Sequence, residues 1–120
     1  MLQILAVFFK PFESRGAVER RALELLRSHL TTTQLAQFNA LGRFEVTGSD
    51  TGTRYVIRNT NLINIDQLNS EGERIQRWCF GPRGNLAAGD VMLSQKLAIE
   101  CFESQALTIA LSYSPENQGP

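Results

Sequence analysis

Arg43-Phe44-Glu45-Val46-Thr47-Gly48-Ser49-Asp50-Thr51-Gly52-Thr53-Arg54-Tyr55-Val56-Ile57-Arg58 is the stretch that decides the fold class. Phe44 and Val46 alternate with Arg43, Glu45 and Thr47; Tyr55 and Ile57 alternate with Arg54, Val56 and Arg58. Side chains two apart line one face of a strand, so each half reads as a strand with one face turned inward. Gly48-Ser49-Asp50-Thr51-Gly52, between them, is a turn by its residue chemistry. The pattern continues downstream. Asn59-Thr60-Asn61 is the next turn, Ile63 and Ile65 mark a third strand, Asn69-Ser70-Glu71-Gly72 is a third turn, and Ile75 to Phe80 is a fourth strand. Short strands joined by tight turns predict an antiparallel β-meander.

Upstream the period is helical. Ser14 offers an N-cap, and Val18, Ala22, Leu25, Leu26 and Leu30 follow at steps of three and four. Arg20–Glu24 and Glu24–Arg27 are spaced to pair on the other side. Thr31 with Gln34 has the spacing of a capping box and opens a second helix carrying Leu35, Phe38 and Leu41, which Gly42 ends. The two form a helical hairpin. Before them, Leu2 to Phe9 is apolar and Pro11 closes the segment, giving a buried strand or an apolar arm. It is far shorter than the roughly 20 residues of a membrane-spanning helix, and it lacks the pattern of a signal peptide.

Downstream, Pro82, Gly84 and Gly89 mark a loop, and Asp90 reads as the N-cap of a third helix from about Val91. Met92, Ile99, Phe102, Ala106 and Ile109 form one apolar stripe. Leu93, Leu97 and Cys101 form a second, which places Leu97 beneath the sheet. The helix is expected to run to about Leu111, although Leu107, Ile109, Leu111 and Tyr113 also alternate as a strand would. The expected fold class is α+β: an N-terminal helical hairpin, a four-stranded antiparallel β-meander, and a C-terminal helix packed on the sheet. Residues 1–12 are an apolar arm or strand, 13–113 one α+β domain, and 114–120 a flexible tail.

The 120 residues carry 42% apolar and 20% charged side chains, as in ordinary globular domains. Twelve basic residues balance twelve acidic ones, which excludes coating nucleic acid by bulk charge. The balance is uneven: residues 1–41 sum to +2, 42–85 to +1 and 86–120 to −3. Ten of the basic residues are Arg, the side chain suited to bidentate contact with carboxylate or phosphate. Cys79 and Cys101 show no CxxC spacing and make no disulfide framework, which fits a reduced, cytoplasmic compartment.

From Leu30 onward the chain resembles a family of uncharacterised bacterial and phage-associated proteins. The resemblance rests on Leu30-Thr31 with Gln34, on Gly48 with Thr51-Gly52, and on Tyr55-Val56-Ile57-Arg58. Its strongest part is Cys79-Phe80-Gly81-Pro82 followed by Gly89-Asp90-Val91-Met92-Leu93-Ser94-Gln95-Lys96-Leu97-Ala98-Ile99-Glu100. It spans roughly residues 18–111 and implies a shared fold, with no activity attached. A histidine often stands in that family where this chain has Gly81, so no site built on Cys79 and its second neighbour carries over.

Few residues suggest chemistry. Cys79 and His29 are the one Cys/His pair to weigh, but no orienting third group or oxyanion motif accompanies them, and a strand Cys between Trp78 and Phe80 reads as a small hydrophobe. Asp90 and Glu100 stand ten residues apart on one helix, about 15 Å, too far for a carboxylate pair. They read as a cap, for Asp90, and as a solvated or Lys96-paired side chain, for Glu100. The glycine loops lack the order of a phosphate loop. No metal or cofactor is expected. Arg54 and Arg58 share one face of the second strand, and Arg77 joins them from the fourth, with Arg43 and Arg83 nearby. These are the candidate anion or nucleic-acid contacts, with Tyr55 and Trp78 as bases' stacking partners if exposed. Glu45, Asp66, Glu71 and Glu73 are interleaved with them, as on a solvated mixed-charge face.

The leading expectation is a small non-catalytic binding or assembly module that self-associates through its N-terminal arm. The alternative is a nucleic-acid-associated protein using the arginine-bearing sheet face, and an enzyme comes third.

Overall fold

The computed structural model describes residues 14–60, 63–82, 84 and 86–113. The arm at 1–12, the tail at 114–120 and Arg83 lie outside the described residues. Helix α1 is Arg15–Ser28 and α2 is Thr32–Leu41; strands β1 (Arg43–Thr47), β2 (Arg54–Arg58), β3 (Ile65–Leu68) and β4 (Arg74–Cys79) follow, then α3 (Ala88–Ile109) and β5 (Leu111–Tyr113). The fold is α+β, two helices before an antiparallel meander and a C-terminal helix packed on the sheet.

The local signals act as their chemistry dictates. Ser14 Oγ accepts from the Ala17 N–H at 3.1 Å and starts α1. In the capping box, Thr31 Oγ1 accepts from the Gln34 N–H at 3.1 Å and Gln34 Oε1 accepts from the Thr31 N–H at 3.0 Å. Gly42 ends α2 in the left-handed region, at φ 68°. On α1, Arg15 pairs with Glu19 at 2.9 Å, whereas Arg27 turns to Asn39 and lies over the Phe38 ring.

The sheet order is β1-β2-β3-β4-β5, each neighbour antiparallel. The inner face carries Phe44, Val46, Tyr55, Ile57 and Ile65, all buried, and α1 to α3 close over them with Leu26, Phe38, Met92 and Ile99. Helix α2 also seals the β1 edge. Its Gln37 Oε1 accepts from the Glu45 N–H and its Gln34 Nε2 donates to the Glu45 carbonyl oxygen, both at 2.9 Å. Two side-chain amides thus stand where another strand would pair. At the crossing of α1 and α3, Gly89 meets the α1 backbone so closely that a Cβ there would lie 2.4 Å from the Ala22 carbonyl.

Helix α3 departs from expectation in four ways. It starts at Ala88 with Ala87 in the cap position, and Glu19 Oε2 accepts the Ala88 N–H at 3.1 Å, so Asp90 lies inside the first turn rather than capping it. The face turned inward is Met92, Gln95, Lys96, Ile99, Glu103 and Ala106. Met92, Ile99 and Ala106 of the first expected stripe are buried while Phe102 and Ile109 are exposed; of the second, Leu93 packs against the core, but Leu97, at 47%, and Cys101 are exposed and do not lie beneath the sheet. The polar residues Gln95, Lys96 and Glu103 rotate the buried face away from the apolar stripe because each finds a partner inside. The helix is broken at Phe102 (φ −142°, ψ 47°). It ends at Ile109, and Leu111–Tyr113 is the fifth strand, because pairing with β4 (Cys79↔Leu111, Arg77↔Tyr113) supplies the backbone bonds a last helical turn would lack. Among the described residues no helix is long and apolar enough to cross a membrane.

Candidate functional site

Strand alternation puts Arg43, Glu45, Arg54, Arg58, Asp66 and Arg77 on the outer face of the sheet, away from the core. Register sets Asp66 directly across from Arg77 and diagonal to Arg58. The structure brings Arg58 and Arg77 together on one oxygen: Arg58 Nη2 is 3.3 Å and Arg77 Nε 3.5 Å from Asp66 Oδ1. Arg54 is not part of this pair. Four residues along β2, about 13 Å away, it bonds Glu45 at 3.0 Å. Tyr55 and Trp78 point the other way, into the core side. Tyr55 Oη donates to Glu103 at 2.6 Å and Trp78 Nε1 donates to Gln67 at 2.8 Å. The outer face therefore has no aromatic platform from these two residues. Sequence reasoning counted Asp66 as diluting the patch; the register, which makes it the point of convergence, was the missing information.

A second feature is a cleft of about 810 Å³ between the start of α1, the start of α3, the β2–β3 connection and the end of β4. Phe80, Val91, Met92, Leu86 and Ile109 are among its lining, with Arg15 at the α1 side. Asn64 and Gln95 meet there in a reciprocal pair, at 2.7 and 2.8 Å, and Gln95 Nε2 also donates to the Phe80 carbonyl oxygen at 2.7 Å. This is why an otherwise unremarked glutamine sits on the inner face of α3: two amides and a strand end satisfy one another.

The third feature is a buried carboxylate. Glu103 Oε1 accepts the Asp50 and Thr51 N–H groups at 2.9 Å each, and Oε2 accepts the Thr51 and Tyr55 hydroxyls at 2.6 Å each. Burial works against its charge, but these four bonds prevail and hold the carboxyl below its ordinary range. Burial first, then the bond to Glu103 and its charge, push the Tyr55 hydroxyl above its usual range. In return the β1–β2 turn caps the broken helix. Ser49 Oγ accepts the Glu103 N–H at 3.1 Å and Asp50 Oδ2 accepts from the Ser104 N–H and hydroxyl at 2.9 and 2.6 Å, which lowers the Asp50 carboxyl as well. Sequence reading found Gly48, Thr51 and Tyr55 without their common partner, which lies 48 or more positions away.

The remaining candidates have structural partners. His29 Nδ1 lies 3.0 Å from the Leu25 carbonyl oxygen at the end of α1, while Cys79 lines the cleft from β4, and no contact joins them among the described residues. Glu100 takes Lys96 Nζ at 2.5 Å and Gln34 Nε2 at 3.0 Å. The buried polar side chains Gln34, Asn64, Gln95 and Glu103 are thus engaged in holding elements together, and Lys96 pairs with Glu100 within α3. Among the described residues no three His, Cys, Asp or Glu side chains group as a metal would require. No protein-family model matches the chain, and neither a curated protein nor a solved structure matches it.

Proposed function

We propose that the domain is a small non-catalytic assembly module that joins a second copy of itself through the apolar segment between residues 2 and 12. The cleft is the observation that supports this reading. It opens beside Arg15, the first residue of α1, which follows the segment closely in sequence. Leu86 and Ile109 line it and are 41% and 78% exposed. Leu2, Ile4, Leu5, Val7, Phe8, Phe9 and Phe12 are the matching apolar side chains. Covering apolar surface stabilises by about 25 cal/mol per Å², which favours bringing the two together. Two copies related by a twofold axis would then exchange segments reciprocally, the commonest closed arrangement. The engagement of the buried polar groups in the fold supports the non-catalytic part.

Light scattering tests the proposal. The full chain is expected to show a dimer mass, and a version lacking residues 1–12 a monomer with unchanged near-ultraviolet circular dichroism. A full-length monomer at high micromolar concentration overturns it, and a truncated version that stays dimeric assigns the contact to another surface.

A further inference from the structure

On the opposite face of the sheet, and independently of any self-association, we propose that Arg58 and Arg77 form a preset clamp for one carboxylate of a protein partner, with Asp66 as the anchor that sets it. Two guanidinium groups repel at short range, and an anion between them offsets that repulsion. Asp66 is that anion, and its side chain is only 13% exposed, beneath the pair. The arginine side chains keep 27% and 31% of their surface accessible, so the pair faces outward.

One carboxylate does not satisfy both. Charge-assisted N–H···O bonds usually close to about 2.7–2.9 Å, whereas the shared Asp66 oxygen lies 3.3 Å from Arg58 and 3.5 Å from Arg77. Arg58 Nε and Arg77 Nε are buried and make no hydrogen bond among the described residues, so it is the outward Nη groups that face a ligand. Two cations around one anion leave a single positive charge, which one further carboxylate neutralises. The mounting is rigid: Arg58, Asp66 and Arg77 stand on β2, β3 and β4, the three inner strands of the five. Such a mounting keeps the cost of ordering the site low when the ligand arrives.

The surroundings favour a discrete carboxylate over a phosphate chain. Arg54 is already bonded to Glu45, so the positive charge does not continue along β2; Arg43, across from Arg58 on β1, is the other cation beside the clamp. A nucleic-acid backbone leaving the clamp meets Glu45 on that side. Tyr55 and Trp78, which would stack on bases, are bonded on the other face.

The experiment is fluorescence anisotropy with labelled hexaglutamate, run beside a labelled short DNA duplex, on the full chain. Arg58→Gln and Arg77→Gln are each expected to weaken hexaglutamate binding about tenfold, and Arg54→Gln less than about twofold. Asp66→Asn is the sharper variant because it conserves size and raises the net charge. Loss of the anchor is expected to weaken binding in spite of that added charge, and this readout stands even if an arginine variant fails to fold. Tighter hexaglutamate binding by Asp66→Asn overturns the clamp in favour of simple charge attraction. So does an equal loss in Arg54→Gln. Duplex binding that falls steeply with salt and depends on Arg58 and Arg77 overturns the carboxylate assignment in favour of phosphate. No hexaglutamate binding at low salt overturns it outright.

Discussion

Ile99 and Leu97 are two residues apart on α3, yet one is fully buried and the other nearly half exposed. By hydrophobicity alone they are equivalent, and the Leu93–Leu97–Cys101 spacing even favours Leu97 for the core. What separates them is the company each keeps. Ile99 shares its face with Met92, Gln95, Glu103 and Ala106. Ile99→Ala is therefore expected to cost about 2–5 kcal/mol, the usual range for truncating a buried aliphatic side chain. Leu97→Ala is expected to stay within about 1 kcal/mol, since nearly half of its surface is already in water. Urea denaturation midpoints of the two variants check both values, and a larger loss at position 97 would place that side chain against the sheet after all. Gly48 makes the same point for a small residue. A Cβ there would stand 2.2 Å from the Glu103 carboxyl carbon, so the glycine leaves room for a side chain 55 positions on.

At the scale of elements, the break in α3 and the β1–β2 turn complete each other. A kink at Phe102 frees backbone donors at Glu103 and Ser104, and the turn supplies Ser49 and Asp50 to accept from them. The turn in its own right leaves the Asp50 and Thr51 N–H groups unpaired, and Glu103 accepts from both. A pH dependence follows. The folded Glu103 carboxyl is lowered, so its contribution is present above the ordinary glutamate pKa, about 4.3, and is lost as pH falls through the lower folded value. The Tyr55 hydroxyl is raised, so its contribution is present below the ordinary tyrosine pKa, about 10, and is lost as pH rises beyond it. Thermal melts across pH are expected to fall off at both ends. Glu103→Gln is expected to flatten the acid limb, and Tyr55→Phe the alkaline one. An acid limb unchanged in Glu103→Gln would assign it to another carboxylate.

Across the whole molecule, the sheet has one sealed edge, one polar outer face and one open end. The glutamines of α2 occupy the β1 edge, the arginines and Asp66 occupy the outer face, and the cleft with Leu86 and Ile109 marks the open end. Association through the cleft carries a specific expectation: Ile109→Asp converts the full chain from dimer to monomer with little change in melting temperature, because that side chain is 78% exposed in the single copy. Sedimentation equilibrium decides it, and a variant that remains dimeric would remove the cleft from the interface. The four strands of the meander, the turns between them, the capping box at Thr31 and the stop at Gly42 were all legible in the sequence alone. Each depends on residues within a few positions of one another: alternation makes a face, a hydroxyl reaches the third N–H, and glycine tolerates a left-handed φ. Helix α3 was legible in its existence but not in its orientation, its break or its end. Those depend on partners far along the chain, from Ser49, Asp50 and Tyr55 to Asn64 and β4. The candidate site divides the same way. That Arg54 and Arg58 share a face follows from a two-residue period, whereas the meeting of Arg58 with Arg77, and the diversion of Arg54 to Glu45, were decided only by the register of four strands. Local sequence sets where a side chain points; which charge it then meets is a property of the assembled sheet.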